Sequence, residues 1–182
     1  MVDVLTSEQR SLNMSRIRGR DTKPELLVRR GLHARGLRFR IHQKNLPGRP
    51  DLALARFRTV IFVHGCFWHG HACHLSTIPA TRTAFWQAKI AGNVARDRQV
   101  LIALQQDEWR VMTVWECALR GRNRLALDTV LDTIQTFLLG QQSSFQITSC
   151  SLVCHDAAHE NCQDPRHRRP TRDGLTRGLG IE

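Results

Sequence analysis

Two runs of large side chains limit how this chain can fold. TVIFVH (residues 59–64) is β-branched and aromatic, and WRVMTVWEC (109–117) carries bulky residues throughout. Both read as strands, the second buried on both faces. Between them, TRTAFWQAKIAGNVARDRQVLIALQQ (81–106) has a helical period, with Ile90, Val94, Asp97, Leu101 and Leu104 on one stripe. A strand covered on both faces needs a layer on each side. The fold class is therefore α/β, a mixed sheet flanked by helices.

The remaining elements fit that frame. In DTKPELLVRRGLHARGLRF, Thr22 is a helix cap, Pro24 lies in the first turn, Glu25 follows at the third position, and Gly36 is the stop. LRFRIH alternates as a half-buried strand, LPGRP turns, and PDLALA joins TVIFVH through a tight connection at Arg56 to Arg58. RNRLALDTVLDTIQTFLLG is a closing helix ended by Gly140. Near the start, Thr6 and Gln9 have capping-box spacing, but the apolar face behind them is thin, as for a helix that lies on something other than its own core. From Gln141 the pattern dissolves into polar, proline- and glycine-punctuated sequence, the mark of a mobile extension. Three parts are expected: an N-terminal arm over 1–20, a folded domain over 21–140 and a low-order extension over 141–182.

Charge says where a partner would bind. The chain holds 27 Lys+Arg against 16 Asp+Glu, a net of +11, and residues 141–182 contribute five of each sign. The whole surplus thus belongs to residues 1–140. Arginine supplies nearly all of it, and guanidinium forks suit phosphates and base edges, which points to a nucleic acid. No stretch approaches the ~18 apolar residues of a membrane span, and MVDVLTSEQR is no signal peptide. The chain reads as cytoplasmic, so its six cysteines read as thiols or metal ligands rather than disulfides.

Three constellations could carry chemistry. Asp51 follows a proline at a strand start and precedes a second strand by about a dozen residues, an arrangement that can offer Mg²⁺ a carboxylate beside the backbone carbonyl of Val63. The bland alternative is a turn aspartate. The common nuclease pattern places an acid and a lysine on the second strand; neither is here, Val63 can offer only its backbone carbonyl, and His64 stands at the lysine-like place. His71 and Cys73 are two apart, Cys117 ends the buried strand and Asp97 sits on an apolar stripe, a possible closed Zn²⁺ site. Against that, both cysteines could be small core residues. Finally, Phe67 and Trp68 in the glycine-flanked GCFWHGH, with Trp86 nearby, could wedge between bases or could be core.

Taken together, SLNMSRIRGRDTKPE, LPGRPD, VIFVHGCFWHGHACH, PATRTAFWQAKI, NVARDR and WRVMTVWECALRGR resemble the very short patch repair endonucleases over about residues 8–139. The resemblance implies a fold like that of type II restriction endonucleases, with a structural zinc site. It implies nicking of double-stranded DNA 5′ of the thymine in a T·G mismatch left by deamination of 5-methylcytosine. By the same resemblance, Asp51 and the Val63 carbonyl hold catalytic Mg²⁺, and His69 is the general base. His64 and Glu25 hold metal waters or phosphate. Asp97, His71, Cys73 and Cys117 hold Zn²⁺. Phe67, Trp68 and Trp86 form the wedge, and Met14 approaches from the minor groove. A monomer in the nucleoid, associated with a MutL-type mismatch-repair protein and a DNA cytosine methyltransferase, would complete the implied picture.

Two other readings stay open. One is a nuclease of the same fold with a different mismatch or sequence target; the other is a non-catalytic DNA-binding module, which would have lost Asp51 or His69. The C-terminal segment departs from the resemblance. Its Cys150, Cys154, His155, His159 and Cys162 would be the ligands of any second metal site.

Overall fold

The computed structural model describes residues 19–149, together with Thr6, Gln9 and Leu12 and the backbone of 152–154. Met14 and most of the Cys/His set after residue 149 lie outside the described residues. Thr6 and Gln9 make the expected capping box: the Thr6 amide donates to Gln9 Oε1 at 3.0 Å and the Gln9 amide to Thr6 Oγ1 at 3.2 Å.

Helix α1 spans Lys23–Ala34, capped by Thr22, whose side chain accepts from the Glu25 amide. Strand β1 (Leu52–Leu54) turns through a short 3₁₀ segment, Ala55–Phe57, into β2 (Thr59–His64). Helix α2 (Thr83–Gln106) follows a long loop, then β3 (Arg110–Trp115), the single turn α3 (Glu116–Leu119) and α4 (Leu127–Leu139). Strands β4 (Ser144–Ile147) and β5 (Leu152–Cys154) close the described chain. The sheet is mixed, in the order β1-β2-β3-β4-β5, with β2, β3 and β4 parallel and both outer pairs antiparallel.

Strand alternation divides the core into two layers. Ile61, Val63, Met112, Val114, Phe145 and Ile147 pack on Val28 and Leu32 of α1 and on Val130, Leu131 and Ile134 of α4. Val60, Phe62 and Val111 face the other way, onto Leu104, Val100 and Leu101 of α2. The same alternation puts His64, Thr113, Trp115 and Gln146 on the α2 side of the sheet. This is how a sheet with a filled core still presents polar groups at the carboxyl ends of its parallel strands.

Two expectations change. LRFRIH forms no strand; only Arg40 bridges to Ala53, because His42 turns back in a left-handed conformation (φ 47°). The break expected after Gly140 is not where the sheet ends. Phe145 and Ile147 are 8% and 0% exposed, and a polar stretch with just those two apolar anchors supplies a strand of the central sheet.

Candidate active site and metal centre

Asp51 lies just before β1. Because β1 runs antiparallel to β2, this brings Asp51 beside the carboxyl end of β2, where its Oδ2 accepts a hydrogen bond of 2.7 Å from the Val63 amide. The contact with Val63 is thus through nitrogen. Burial pushes the Asp51 pKa up to about 6, with the charge of Glu25 adding to the effect and the Val63 amide opposing it. A carboxylate held this way gains from a nearby cation. Its surroundings are a cleft of about 520 Å³ between the sheet and α2, lined also by Glu25, His42, His64, His69 and Asp97.

His69 lies in the loop after β2, and its Nδ1 is 2.6 Å from Asp97 Oδ2. That leaves Nε2 as the nitrogen available for chemistry. His64 stacks flat on His69, ring centroids 3.8 Å apart at 7°. Burial lowers the His64 pKa to about 3, with the neighbouring His69 adding to the effect, so this imidazole is neutral at pH 7. Burial tends to raise the Asp97 pKa, but the His69 hydrogen bond and nearby cationic groups outweigh it and the net shift is downward.

Asp97 is therefore not with the cysteines. The buried carboxylate on the apolar stripe does have a partner, but the partner is His69, because that face of α2 looks onto the histidines. The fourth member of the sulfur cluster is Cys66: ligand atoms of Cys66, His71, Cys73 and Cys117 all lie within 4.8 Å of one another. Cys66 is fully buried just after β2, and Cys117 lies in α3 rather than at the end of a strand. The Cys117 amide donates to Cys66 Sγ (3.3 Å) and the Leu75 amide to Cys73 Sγ (3.4 Å). Hydrogen bonding with Cys66 pulls the Cys117 pKa down to about 3, while the same contact and burial push Cys66 up. Three sulfurs and one imidazole, with amides already aimed at two of the sulfurs, could hold a soft or borderline metal ion. Cys66 was legible as a candidate only from its place in HGCFWHGHACH.

His71 also stacks on Trp115 at 4.4 Å, and the far edge of that indole meets His64 at 5.5 Å. Trp115 Nε1 donates to Gln146 Oε1 at 2.8 Å, so β4 holds the wall between the two clusters.

Glu25 is 3% exposed, and both of its oxygens are engaged. Oε2 accepts from the Asp21 amide and from Arg29, and Oε1 accepts from the Thr22 hydroxyl. It borders the cleft as the anchor of α1.

Phe67, Trp68 and Trp86 do form one cluster, with ring centroids 5.1 to 6.1 Å apart. Phe85, next to Trp86 in sequence and 46% exposed, extends it and is absent from the sequence reading. Lys89 lies over Trp68 and Phe85, and Arg82 over Phe85. An exposed aromatic group flanked by cations suits stacked bases and their phosphates.

A family model described as DNA mismatch endonuclease Vsr matches residues 2–75. The chain is 47% identical over 147 residues to the DNA mismatch endonuclease Vsr of Escherichia coli K12, covering 81% of this chain and 94% of that protein. It is 45% identical over 134 residues to the type II nicking enzyme V.XorIIP of Xanthomonas oryzae pv. oryzae, covering 72% and 98%. For the type II nicking enzyme V.NmeAIP of Neisseria meningitidis the figures are 42% over 122 residues, 67% and 87%.

Proposed function

Because the chain belongs to the Vsr family of DNA mismatch endonucleases, we propose that it nicks double-stranded DNA 5′ of the thymine of a T·G mismatch, on a restriction-endonuclease-like scaffold. That it is a DNA endonuclease follows from the family; the mismatch and the strand are the proposal. The observation that carries the cutting chemistry is that Asp51 and the His69–Asp97 pair line one cleft; the mismatch rests on the likeness to a DNA mismatch endonuclease.

In this reading Asp51 would hold Mg²⁺ together with the Val63 carbonyl, and the bound ion would supply Lewis-acid charge at the scissile phosphate and the departing 3′ oxygen. His69 takes a proton from the attacking water at Nε2, and Asp97 holds the ring by its other nitrogen and stabilises the imidazolium that forms. Water adds to phosphorus as the bond to the 3′ oxygen breaks. His64, neutral at pH 7, packs the base in place without competing for the proton. The cysteine cluster with His71 holds Zn²⁺ and fixes the loop that carries His69. Phe67, Trp68 and Trp86 enter the duplex, and a mispaired step yields more easily than a paired one.

Relatives named type II nicking enzymes keep open a nuclease of the same fold with a different mismatch or sequence target. No helix among the described residues is long and apolar enough to cross a membrane, and a cytoplasmic monomer on the nucleoid, with MutL-type and cytosine-methyltransferase partners, fits a substrate of mismatched double-stranded DNA. The test is incubation with Mg²⁺ and paired duplexes, one carrying T·G and one fully matched. Nicking of only the thymine strand of the mismatch is expected, lost by about 10²–10⁴-fold in Asp51→Ala and His69→Ala, with Trp68→Ala lowering the preference for the mismatch. Undiminished nicking by Asp51→Ala sinks the assignment.

A further inference from the structure

Beside the cleft lies a third group of polar side chains. Asp21, Glu25 and His42 bring ligand atoms within 4.8 Å of one another, a spacing that would suit a metal ion. The cation already in place is Arg29. Its NH1 is 2.5 Å from Asp21 Oδ1, and its NH2 is 2.9 Å from both Glu25 Oε2 and His42 Nε2. Arg29 is 8% exposed, so a metal ion would have to expel a buried guanidinium from between two carboxylates. The group is an arginine site.

The arginine decides where the imidazole proton sits. A guanidinium has donors and no acceptor, so His42 Nε2 must supply the lone pair. The proton of the neutral ring is then on Nδ1. That atom lies 3.9 Å from Asp51 Oδ1, the oxygen left over when Oδ2 accepts from Val63. The gap admits closure by a small shift, or one bridging water.

The backbone supports the same assignment. His42 occupies the left-handed region at φ 47°, which is strained for a non-glycine residue and persists where the surroundings require it. Its amide donates to Pro50 O at 3.1 Å, tying it to the residue before Asp51. Main chain and side chain thus both address the segment that carries the carboxylate.

We infer that His42 is a positioning residue for Asp51: Arg29 locks its imidazole as the Nδ1–H tautomer, and the ring thereby presents an N–H to Asp51 Oδ1 and restrains the carboxylate. The tautomer stands on the geometry alone. Its consequence for nicking rests on the function proposed above.

The first measurement is the ¹⁵N pattern of the imidazoles in the full chain labelled at histidine, with His42 assigned by its loss in His42→Asn. Protonated Nδ1 and unprotonated Nε2 at neutral pH are expected; a protonated Nε2 overturns the inference. The second compares two substitutions. An Asn amide reaches about as far as Nδ1, and a Gln amide about as far as Nε2. His42→Asn should keep kcat within about fivefold, while His42→Gln should lose about 10–100-fold, at matched thermal midpoint and unchanged DNA affinity. Equal activities, or the reverse order, refute a role at Asp51. Failure of the unaltered protein to nick mismatched DNA would count against the proposed function, and the tautomer would still be decided.

Discussion

Asp51 shows most plainly how a buried carboxyl costs the fold something. In an unfolded chain it titrates near 3.8, whereas in the native protein it titrates at about 6. Between those values the native state holds the extra proton, so stability falls as pH rises through the window and stays lower above it. Asp51→Asn keeps an acceptor for the Val63 amide and removes the ionisation. Without added Mg²⁺, this variant should be more stable than the parent above pH 7, by about 1–3 kcal/mol, and should show little difference below pH 4. Thermal unfolding across pH measures it; a parent that gains stability between pH 4 and 7 relative to the variant contradicts the assignment. Much of this chemistry was legible. Asp97 on an apolar stripe signals a buried carboxylate needing a partner, but choosing between His69 and the cysteines requires knowing which way a helix face looks. Cys66 escaped for the same reason, since local spacing does not reveal which of several nearby thiols turns inward.

Among the elements, the loop between β2 and α2 is held by contacts to the helix that faces it. Gly70, at φ 66°, lies where a Cβ would come within 3.0 Å of Val94 and 3.1 Å of Ile90. Gly48, at φ 70°, seats the turn before Asp51 against Val100 in the same way. Asn93 donates from α2 to the Trp68 carbonyl at 2.8 Å, pinning the aromatic group. Asn93→Ala removes one hydrogen bond, worth about 1 kcal/mol, so the thermal midpoint should fall by only about 2–4 °C. If the aromatic group is the proposed wedge, the ratio of mismatched to matched nicking should fall by more than that loss of stability implies, because Trp68 loses its brace. A ratio unchanged from the parent shows that Asn93 only stabilises. The helices themselves were readable from caps and period: Thr22, Pro24 and Glu25 announce α1 because capping is local chemistry. The LRFRIH strand was not, because alternation is silent about a left-handed turn at His42.

At the scale of the whole molecule, the sheet joins segments far apart in sequence. β4 places Phe145 and Ile147 in the layer under α1 and α4, and on the opposite face Gln146 holds Trp115 between the histidines and the sulfur cluster. Truncation after Gly140 should remove about 3–6 kcal/mol of apolar burial, a large part of a typical domain's stability. It should also weaken metal retention at Cys117. Unfolding and metal stoichiometry before and after truncation measure both effects; a cooperatively folded, fully metallated truncation would contradict this role for β4. The sequence conceals this strand because its neighbours are polar and two anchors set no period, whereas β2 and β3 declare themselves by continuous apolar runs.

The order of the strands also has a bearing on synthesis. The residues proposed to cut, Asp51, His69 and Asp97, leave the ribosome before residues 144–147 arrive to complete the sheet beside them. A growing chain therefore carries those groups while Met112, Val114 and Phe137 still lack the cover of Phe145 and Ile147, so the cleft is completed only when the last central strand is made.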